Sequence, residues 1–404
     1  MPSAQHRDNP KVARWLRTPV IMAGAILGVM GCSAIVAAVA IRPDIAVARG
    51  SAASKQQSSP AKGRHFGFVV TYFWYAMYQG KDACPNGLNH IANSQEFLAS
   101  KPPAERARLL LPENQAELDE IYDRRGPNGE NLCRTPWAVK DAAMTTLSGD
   151  RNDGLNLDGW DGTGEPSTKV CKQKQFIGGD GTKGIDNQLG RIYACLNGVR
   201  EKGTLIPYFT TAMRGGMWSM LIDVSGVQDA RNDPDVRVDI YAGAENMVLD
   251  AGGKPLPNAS LSPITDPKFH RQFKGHIING VLETETIADL VVPDDMAKGR
   301  KPVQIVEPRF KISLLPDGTA KGLLGGYRTV ASLDEPGSGG LRQSYGGYVC
   351  EGMYHAIRRW ADGARDPKTG TCGMISAAWR IEAVPAFIVH PERQAQPSFA
   401  DAKR

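Results

Sequence analysis

The middle third of the sequence alternates apolar and polar residues, and this pattern restricts the fold more than any other feature. The clearest runs are MWSMLIDV at 217–224, DVRVDIYA at 235–242 and RFKISL at 309–314. Because successive side chains of a strand point to opposite faces of a sheet, such runs predict antiparallel strands with one buried face and one wet face. We therefore predict an α+β fold, in which an antiparallel, jelly-roll-like β-sandwich with a C-terminal helix covers residues 205–390.

The N-terminal part of the exported body, residues 65–204, combines a strand with helices. The run FGFVVTYFWYAMY at 66–78 is apolar, aromatic and β-branched, which favours a buried strand. Apolar residues at helical spacing predict a short helix over 113–123 and an amphipathic helix over 185–199. The same spacing over 348–361 predicts the helix that follows the sandwich strands.

The first residues of the chain have the features of an export signal. Residues 1–18 form a basic leader, and Pro19–Ile41 contains no charged residue. A helix needs about 20 apolar residues to cross a bilayer, so this segment is long enough to act as a transmembrane anchor. Two alternatives stay open: cleavage of a signal peptide after Ala48, and lipid attachment at Cys32. The leader's positive charge predicts that the rest of the chain crosses the membrane.

The predicted export determines the expected location of the body, and the composition of the flanking segments determines its boundaries. Residues 42–64 are small and polar and predict a flexible linker, and residues 391–404 predict a disordered tail. We expect the body to be anchored to a membrane and to lie in the periplasm or outside the cell. If the signal is cleaved, the protein is instead secreted.

Six of the seven cysteines lie in the exported body, and we predict that they form disulfide bonds. Disulfides persist in oxidising compartments, and the even number allows every thiol to be paired. The sequence contains no C-x-x-C pair, which disfavours a zinc site. Short loops close at the lowest entropic cost, so the predicted pairing is sequential. The predicted bonds are Cys84–Cys133, Cys171–Cys195 and Cys350–Cys372.

The segment DRNDGLNLDGWDGTGE at 150–165 is the best candidate for a binding site in the sequence. It concentrates oxygen-bearing side chains and glycines, and it partly matches the ligand spacing of a calcium-binding loop. A second acidic, glycine-rich piece at 178–187 lies close enough in sequence to contribute. The alternative is a plain polar loop, because Asp, Asn and Gly are also the common turn residues. The predicted calcium ligands, with Trp160 beside them, are Asp153, Asn156, Asp158, Asp161 and Glu165.

Charge and motifs limit the functions that the chain can have. The net charge is +5, and much of it lies in the leader, so the body lacks the clustered basic residues of a nucleic-acid-binding protein. The sequence contains no G-x-S-x-G, H-E-x-x-H or Walker motif. We therefore predict a non-enzymatic, membrane-tethered envelope protein that binds a ligand or a protein partner, with a calcium-ordered loop. The alternatives are a carbohydrate-active hydrolase that uses two carboxylates and a purely structural envelope protein.

Overall fold

A computed structural model describes the body of the protein and leaves both termini outside the described residues. The described ranges are 63–89, 98–122, 125–132, 134–140, 142–203, 205–216, 218–293, 302–334 and 350–390. The chain divides into two compact units, 1–57 and 58–404, and every described residue belongs to the second. The predicted leader, membrane segment and C-terminal tail therefore lie outside the described part, as do Cys32 and Cys133.

The described body is built mainly from β-strands, with six short helices. No helix in the described ranges combines the length and apolar character needed to cross a membrane. The strands are β1 (Arg64–Tyr75), β2 (Phe176–Ile177), β3 (Lys183–Ile185), β4 (Met220–Val227), β5 (Asn232–Ala242), β6 (Ala259–Leu261), β7 (His270–Ile278), β8 (Val281–Thr284), β9 (Asp289–Val292), β10 (Val303–Leu314), β11 (Ala320–Thr329), β12 (Gly363–Arg365) and β13 (Cys372–Ile388). The helices are α1 (Pro103–Leu109), α2 (Gln115–Tyr122), α3 (Gln188–Tyr193), α4 (Leu205–Arg214), α5 (Val330–Asp334) and α6 (Cys350–Trp360).

Eight strands close into an antiparallel barrel in the order β1, β4, β5, β7, β8, β10, β11 and β13. Closure is complete because β1 pairs with β4 on one side and with β13 on the other. Five strands lie outside this ring: β6 and β12 pair with β13, β9 pairs with β10, and β2 and β3 pair with each other in a separate small sheet. The predicted β-sandwich with flanking helices is therefore wrong.

The error concerns the arrangement of the strands rather than their positions. The alternating runs do form β4, β5 and β10, and the apolar run after residue 65 does form β1. Alternation of apolar and polar side chains is common to sandwiches and barrels, because both have one inner and one outer face. The distinguishing fact is the pairing of β1 with the last strand, across more than three hundred residues of sequence, as in the register Phe68↔Pro385. The predicted boundary at 205 placed these partners in different domains.

A continuous apolar core fills the barrel, and every one of its eight strands contributes to it. Fully buried examples are Val70, Val224, Val238, Phe273, Leu282, Phe310, Leu324 and Ile381. Phe273 and Phe310 meet edge to face, with ring centroids 5.3 Å apart. The interior is thus packed with side chains, as small eight-stranded barrels commonly are.

The two ends of the barrel differ. Short turns join β4 to β5, β7 to β8 and β10 to β11, and all three lie at the end where β1 begins. The long connections start and finish at the opposite end, including the segment between β1 and β4. Within the described ranges, the end at which β1 begins carries the three short turns and the strand β6 beside the end of β13, and it is the end at which the chain from the predicted linker joins the barrel.

The predicted amphipathic helix over 185–199 differs from the structure in both length and environment. Helix α3 spans six residues, and every one of them is buried. Asn187 caps it, accepting a hydrogen bond from the Gly190 amide at 2.9 Å and donating to the carbonyl oxygens of Ala76 and Asp153. Burial on all sides follows because α3 lies between β13 and helix α6 instead of covering one face of the body.

Disulfide bonds are confirmed, but the predicted pairing is wrong. The structure contains Cys84–Cys195 and Cys171–Cys372, and Cys350 is also disulfide-bonded. The prediction assumed that cysteines close in sequence would pair, because short loops cost the least entropy to close. In the structure, the fold brings cysteines from distant segments within the short distance that a disulfide bond requires. Both bonds attach the long connection between β1 and β4, one within itself and one to β13.

Candidate functional site

A cleft of about 510 Å³ lies between two glycine-rich loops and the outer wall of the barrel. Residues 153–156 and 178–182 form the loop side. The opposite side comes from residues of β8, β10, β11 and β13. The two acidic, glycine-rich pieces that the sequence singles out therefore border one concave site, of a volume ordinary for small-molecule sites.

The cleft contains equal numbers of acidic and basic side chains. Its cations are Arg309, Lys311 and Arg380, and its carboxylates are Asp153, Asp180 and Glu283. Lys311 lies 3.3 Å from Glu283, measured between Nζ and Oε1. The amide of Thr182 is the main influence that lowers the pKa of Asp180, and the charge of Lys311 acts in the same direction.

The two arginines of the cleft are held differently. The Arg380 guanidinium pairs with two carboxylates, those of Asp153 and Glu201. The Arg309 guanidinium donates to the main-chain carbonyl oxygen of Asn156. Within the described ranges it makes no ion pair, and its remaining N–H groups keep their capacity to donate. Arg309 is therefore the cation of this cleft that is best suited to bind an anionic group of a ligand.

The five predicted calcium ligands are used locally in the structure. Asp153 pairs with Arg380, and Glu165 pairs with Lys172, which lies 2.7 Å away. The Asn156 side chain accepts from the Gly159 amide and donates to the Trp160 carbonyl. Asp158 accepts from the Trp160 amide, and Asp161 accepts from the amide and hydroxyl of Thr163.

These contacts shape the loop, and they do not bring the five oxygen-bearing side chains to one point. Of the five, only Asp153 and Asn156 line the cleft. Within the ranges that the structure describes, no group of three or more His, Cys, Asp or Glu residues is arranged to hold a metal ion. Calcium binding by the loop stays a prediction. Trp160 donates its ring N–H to the Thr163 carbonyl at 2.6 Å and borders a neighbouring groove.

Three carboxyl groups converge beneath this loop. Asp186 and Asp362 are 1% and 4% exposed, and Asp158 lies half-buried above them. After the larger effect of burial, the charges of Asp362 and Asp158 both act on Asp186 and raise its pKa. Asp186 also accepts from the amides of Leu157 and Asp158, and Asp362 accepts from the amide and hydroxyl of Ser376. We call Asp158, Asp186 and Asp362 the acidic cluster.

Burial dominates the protonation of the acidic cluster. It raises the pKa of Asp362 to about 7, despite the two hydrogen bonds from Ser376. Burial and then the charges of Asp362 and Asp158 raise the pKa of Asp186 well above its ordinary value. Burial also raises the pKa of Asp158. Burial and the three carboxylates together raise the pKa of Tyr327, so this phenol stays protonated.

A second set of buried carboxylates lies on the outer face of the barrel, where Asp223 of β4 and Asp239 of β5 are directly paired across the strands. Asp239 receives hydrogen bonds from His270, Gln272 and Arg237 at 2.8, 3.1 and 2.8 Å. Burial acts to raise the pKa of Asp239, but these hydrogen bonds and the Arg237 charge outweigh it and lower the pKa. We call Asp223 and Asp239 the paired carboxylates.

Histidines also surround Asp223. Its two oxygens lie 3.5 Å from Nδ1 of His65 and 3.3 Å from Nε2 of His390. The Tyr241 ring stacks on His270 at 4.4 Å and meets His390 edge-on. The paired carboxylates therefore have histidine and arginine side chains as partners, whereas Asp186 and Asp362 accept hydrogen bonds from main-chain amides and a hydroxyl and lie close to each other's charge.

Searches of protein-family models, of curated proteins and of solved structures find no match to this chain. The candidate site thus rests on its own geometry.

Sequence reasoning identified the loop wall of the cleft and missed the barrel wall. Arg309 and Lys311 alternate with buried Phe310 and Ile312, so both cations point outward from one strand. This spacing is visible in the sequence, but the partner strand and the covering loop are not. The acidic cluster was also missed, because its members come from three segments separated by 28 and 176 residues (186 − 158 and 362 − 186).

Proposed function

We propose that the protein is a membrane-tethered, non-enzymatic envelope protein whose cleft binds a small polar ligand carrying a carboxylate or phosphate group. The observation that carries this proposal is the Arg309 guanidinium, which lines the cleft and is held by a main-chain carbonyl rather than by a carboxylate. A planar guanidinium binds a carboxylate or phosphate through two parallel hydrogen bonds.

The rest of the cleft supports a polar ligand. Gly154, Gly178 and Gly179 have no side chains, so their main-chain groups lie within reach of a bound molecule. Lys311 and Arg380 already have carboxylate partners and hold the wall in place. A ligand that places an anionic group on Arg309 and its hydroxyl or amide groups along the loops would complement this arrangement.

The acidic cluster gives less support to the carbohydrate-hydrolase alternative. A glycosidase needs two carboxyl groups that flank a bond of the substrate. Asp186 and Asp362 are almost fully buried beneath the loop, and neither lines the cleft. A role in holding the loop against the barrel fits their burial better.

The proposal is tested by calorimetric titration of the full chain with a panel of small carboxylates, phosphates and sugar acids. At least one class is expected to bind, and Arg309→Gln is expected to weaken that binding by about tenfold or more, since a charge-assisted bidentate pair contributes roughly 1.5–3 kcal/mol. The matched control is Arg359→Gln, which changes an exposed arginine on α6. Equal affinity for both variants would reject Arg309 as the anion-binding group, and hydrolysis of any panel member would favour the enzyme.

A further inference from the structure

The end of the barrel at which β1 begins contains a second pocket, which is separate from the cleft and mainly apolar. Its volume is about 480 Å³. The apolar lining comes from Phe66 and Phe68 of β1 and from Leu314, Leu315 and Pro316 at the β10–β11 turn. We call this pocket the barrel mouth.

The rim of the barrel mouth is held together by the three short turns. The Gly280 amide donates to the Arg231 carbonyl, and the Leu314 amide donates to the Gly280 carbonyl, both at 2.8 Å. Asp317 accepts from the amide and hydroxyl of Thr319 within its own turn. The pocket is therefore preformed by main-chain hydrogen bonds between neighbouring turns, and a ligand would not have to order it.

Two exposed arginines stand at the same end. Arg231 lines the mouth, and Arg64 begins β1, where it pairs with Val227. Neither guanidinium makes an ion pair with a residue in the described ranges. A lipid combines the two chemistries found here, because its acyl chain is apolar and its phosphate is anionic.

Chain connectivity identifies the source of such a lipid. The barrel begins at the mouth, and residues 42–62 are the only covalent link between Arg64's neighbour Gly63 and the predicted membrane segment. The apolar end of the barrel is therefore the end that the sequence connects to the predicted membrane segment.

We propose that the barrel mouth binds an acyl chain of a membrane phospholipid, with Arg64 and Arg231 on its phosphate. This inference is independent of the ligand proposed for the cleft, since the two pockets share no residue. Exposed apolar side chains at the same end, Ile278 and Phe387, extend the apolar surface beyond the pocket.

The test places the full chain in vesicles of phosphatidylcholine and phosphatidylglycerol that contain a phospholipid with a photoactivatable group on its acyl chain. After irradiation, mass spectrometry locates the labelled peptides. Label is expected on the peptides that contain Phe66 and Leu315. Leu315→Asp should reduce it by about tenfold, because a carboxylate opposes burial of an acyl chain. The matched control is Leu111→Asp, an exposed leucine in the connection between β1 and β4.

A second variant separates loss of binding from loss of folding. Ala230→Trp adds volume to the wall of the mouth without adding charge, and it should reduce labelling while the melting temperature stays that of the wild type. Label that is no higher at the mouth than at the Leu111 peptide, or that is unchanged in both mouth variants, would overturn the proposal. Labelling by a free photoactivatable fatty acid but not by the vesicle phospholipid would overturn the membrane as the source.

Discussion

The acidic cluster and the paired carboxylates are both buried against the outer wall of the barrel, yet their chemistry is opposite. Asp239 is reached by His270, Gln272 and Arg237, and its pKa is lowered. Asp362 and Asp186 are reached by main-chain amides, a hydroxyl and each other, and their pKa values are raised. Burial alone therefore does not decide the charge of a carboxyl group, since the partners in reach decide it.

The largest expected effect is a pH dependence of stability that comes from the acidic cluster. The pKa of Asp362 is about 7 in the folded protein, above its unfolded value, so its stabilising contribution is complete at low pH and is lost as the pH rises towards 7. The contribution of Asp362 to the free energy of unfolding should fall by up to roughly 4 kcal/mol between pH 4 and pH 8. Asp362→Asn should flatten this fall in denaturant titrations, and an equally steep profile in the variant would contradict the assignment.

The paired carboxylates predict a loss of stability at neutral pH when one member is neutralised. Asp239→Asn should lower the free energy of unfolding by roughly 2–3 kcal/mol, less than for a fully buried pair because Arg237 and His270 are partly exposed. Chemical denaturation at pH 7 measures the loss. Asp235→Asn, an exposed position on the same strand, is the control and should have little effect. If Asp239→Asn were as stable as Asp235→Asn, the proposed difference between the paired carboxylates and the acidic cluster would be wrong.

Calcium bound by the loop would reduce the difference in pKa between the acidic cluster and the paired carboxylates, because a nearby cation favours the charged form of a carboxyl group. The prediction from the sequence is that calcium at about ten times its dissociation constant stabilises the protein by about 1.4 kcal/mol. Thermal unfolding with calcium and with a chelator measures this, and Asp158→Ala should abolish the difference. No shift at millimolar calcium would end the calcium prediction.

The smallest expected effect concerns the half-exposed member of the acidic cluster. Asp158→Asn removes a charge that faces Asp186 and should stabilise the protein at pH 8 by about 0.5 kcal/mol, since solvent screens much of the repulsion. The same change at pH 4 should have a smaller effect, because the raised pKa values of Asp186 and Asp362 reduce the negative charge near residue 158 at low pH. Thermal unfolding at the two pH values tests this, and stabilisation at pH 4 alone would refute it.

The sequence predicts the strands and the loop wall of the cleft, but not how they assemble. The alternation of apolar and polar residues locates β4, β5 and β10, because it depends only on successive side chains of one strand pointing to opposite faces. Barrel closure depends on the register between β1 and β13, and the cysteine partners depend on that closure, so neither follows from local pattern. The acidic cluster likewise needs three distant segments to meet before burial can shift a pKa.

The ring of strands joins the first strand of the body to the last, which has a consequence for its biogenesis. During synthesis β1 is the first strand of the barrel to be made, and its partner at residues 372–388 is the last. Until that partner arrives, β1 and β11 both present unpaired backbone, which is a template for association with other chains. A chain that stops before residue 372 would leave the edges of β1 and β11 without a partner strand. We therefore expect such products to be bound by chaperones or degraded.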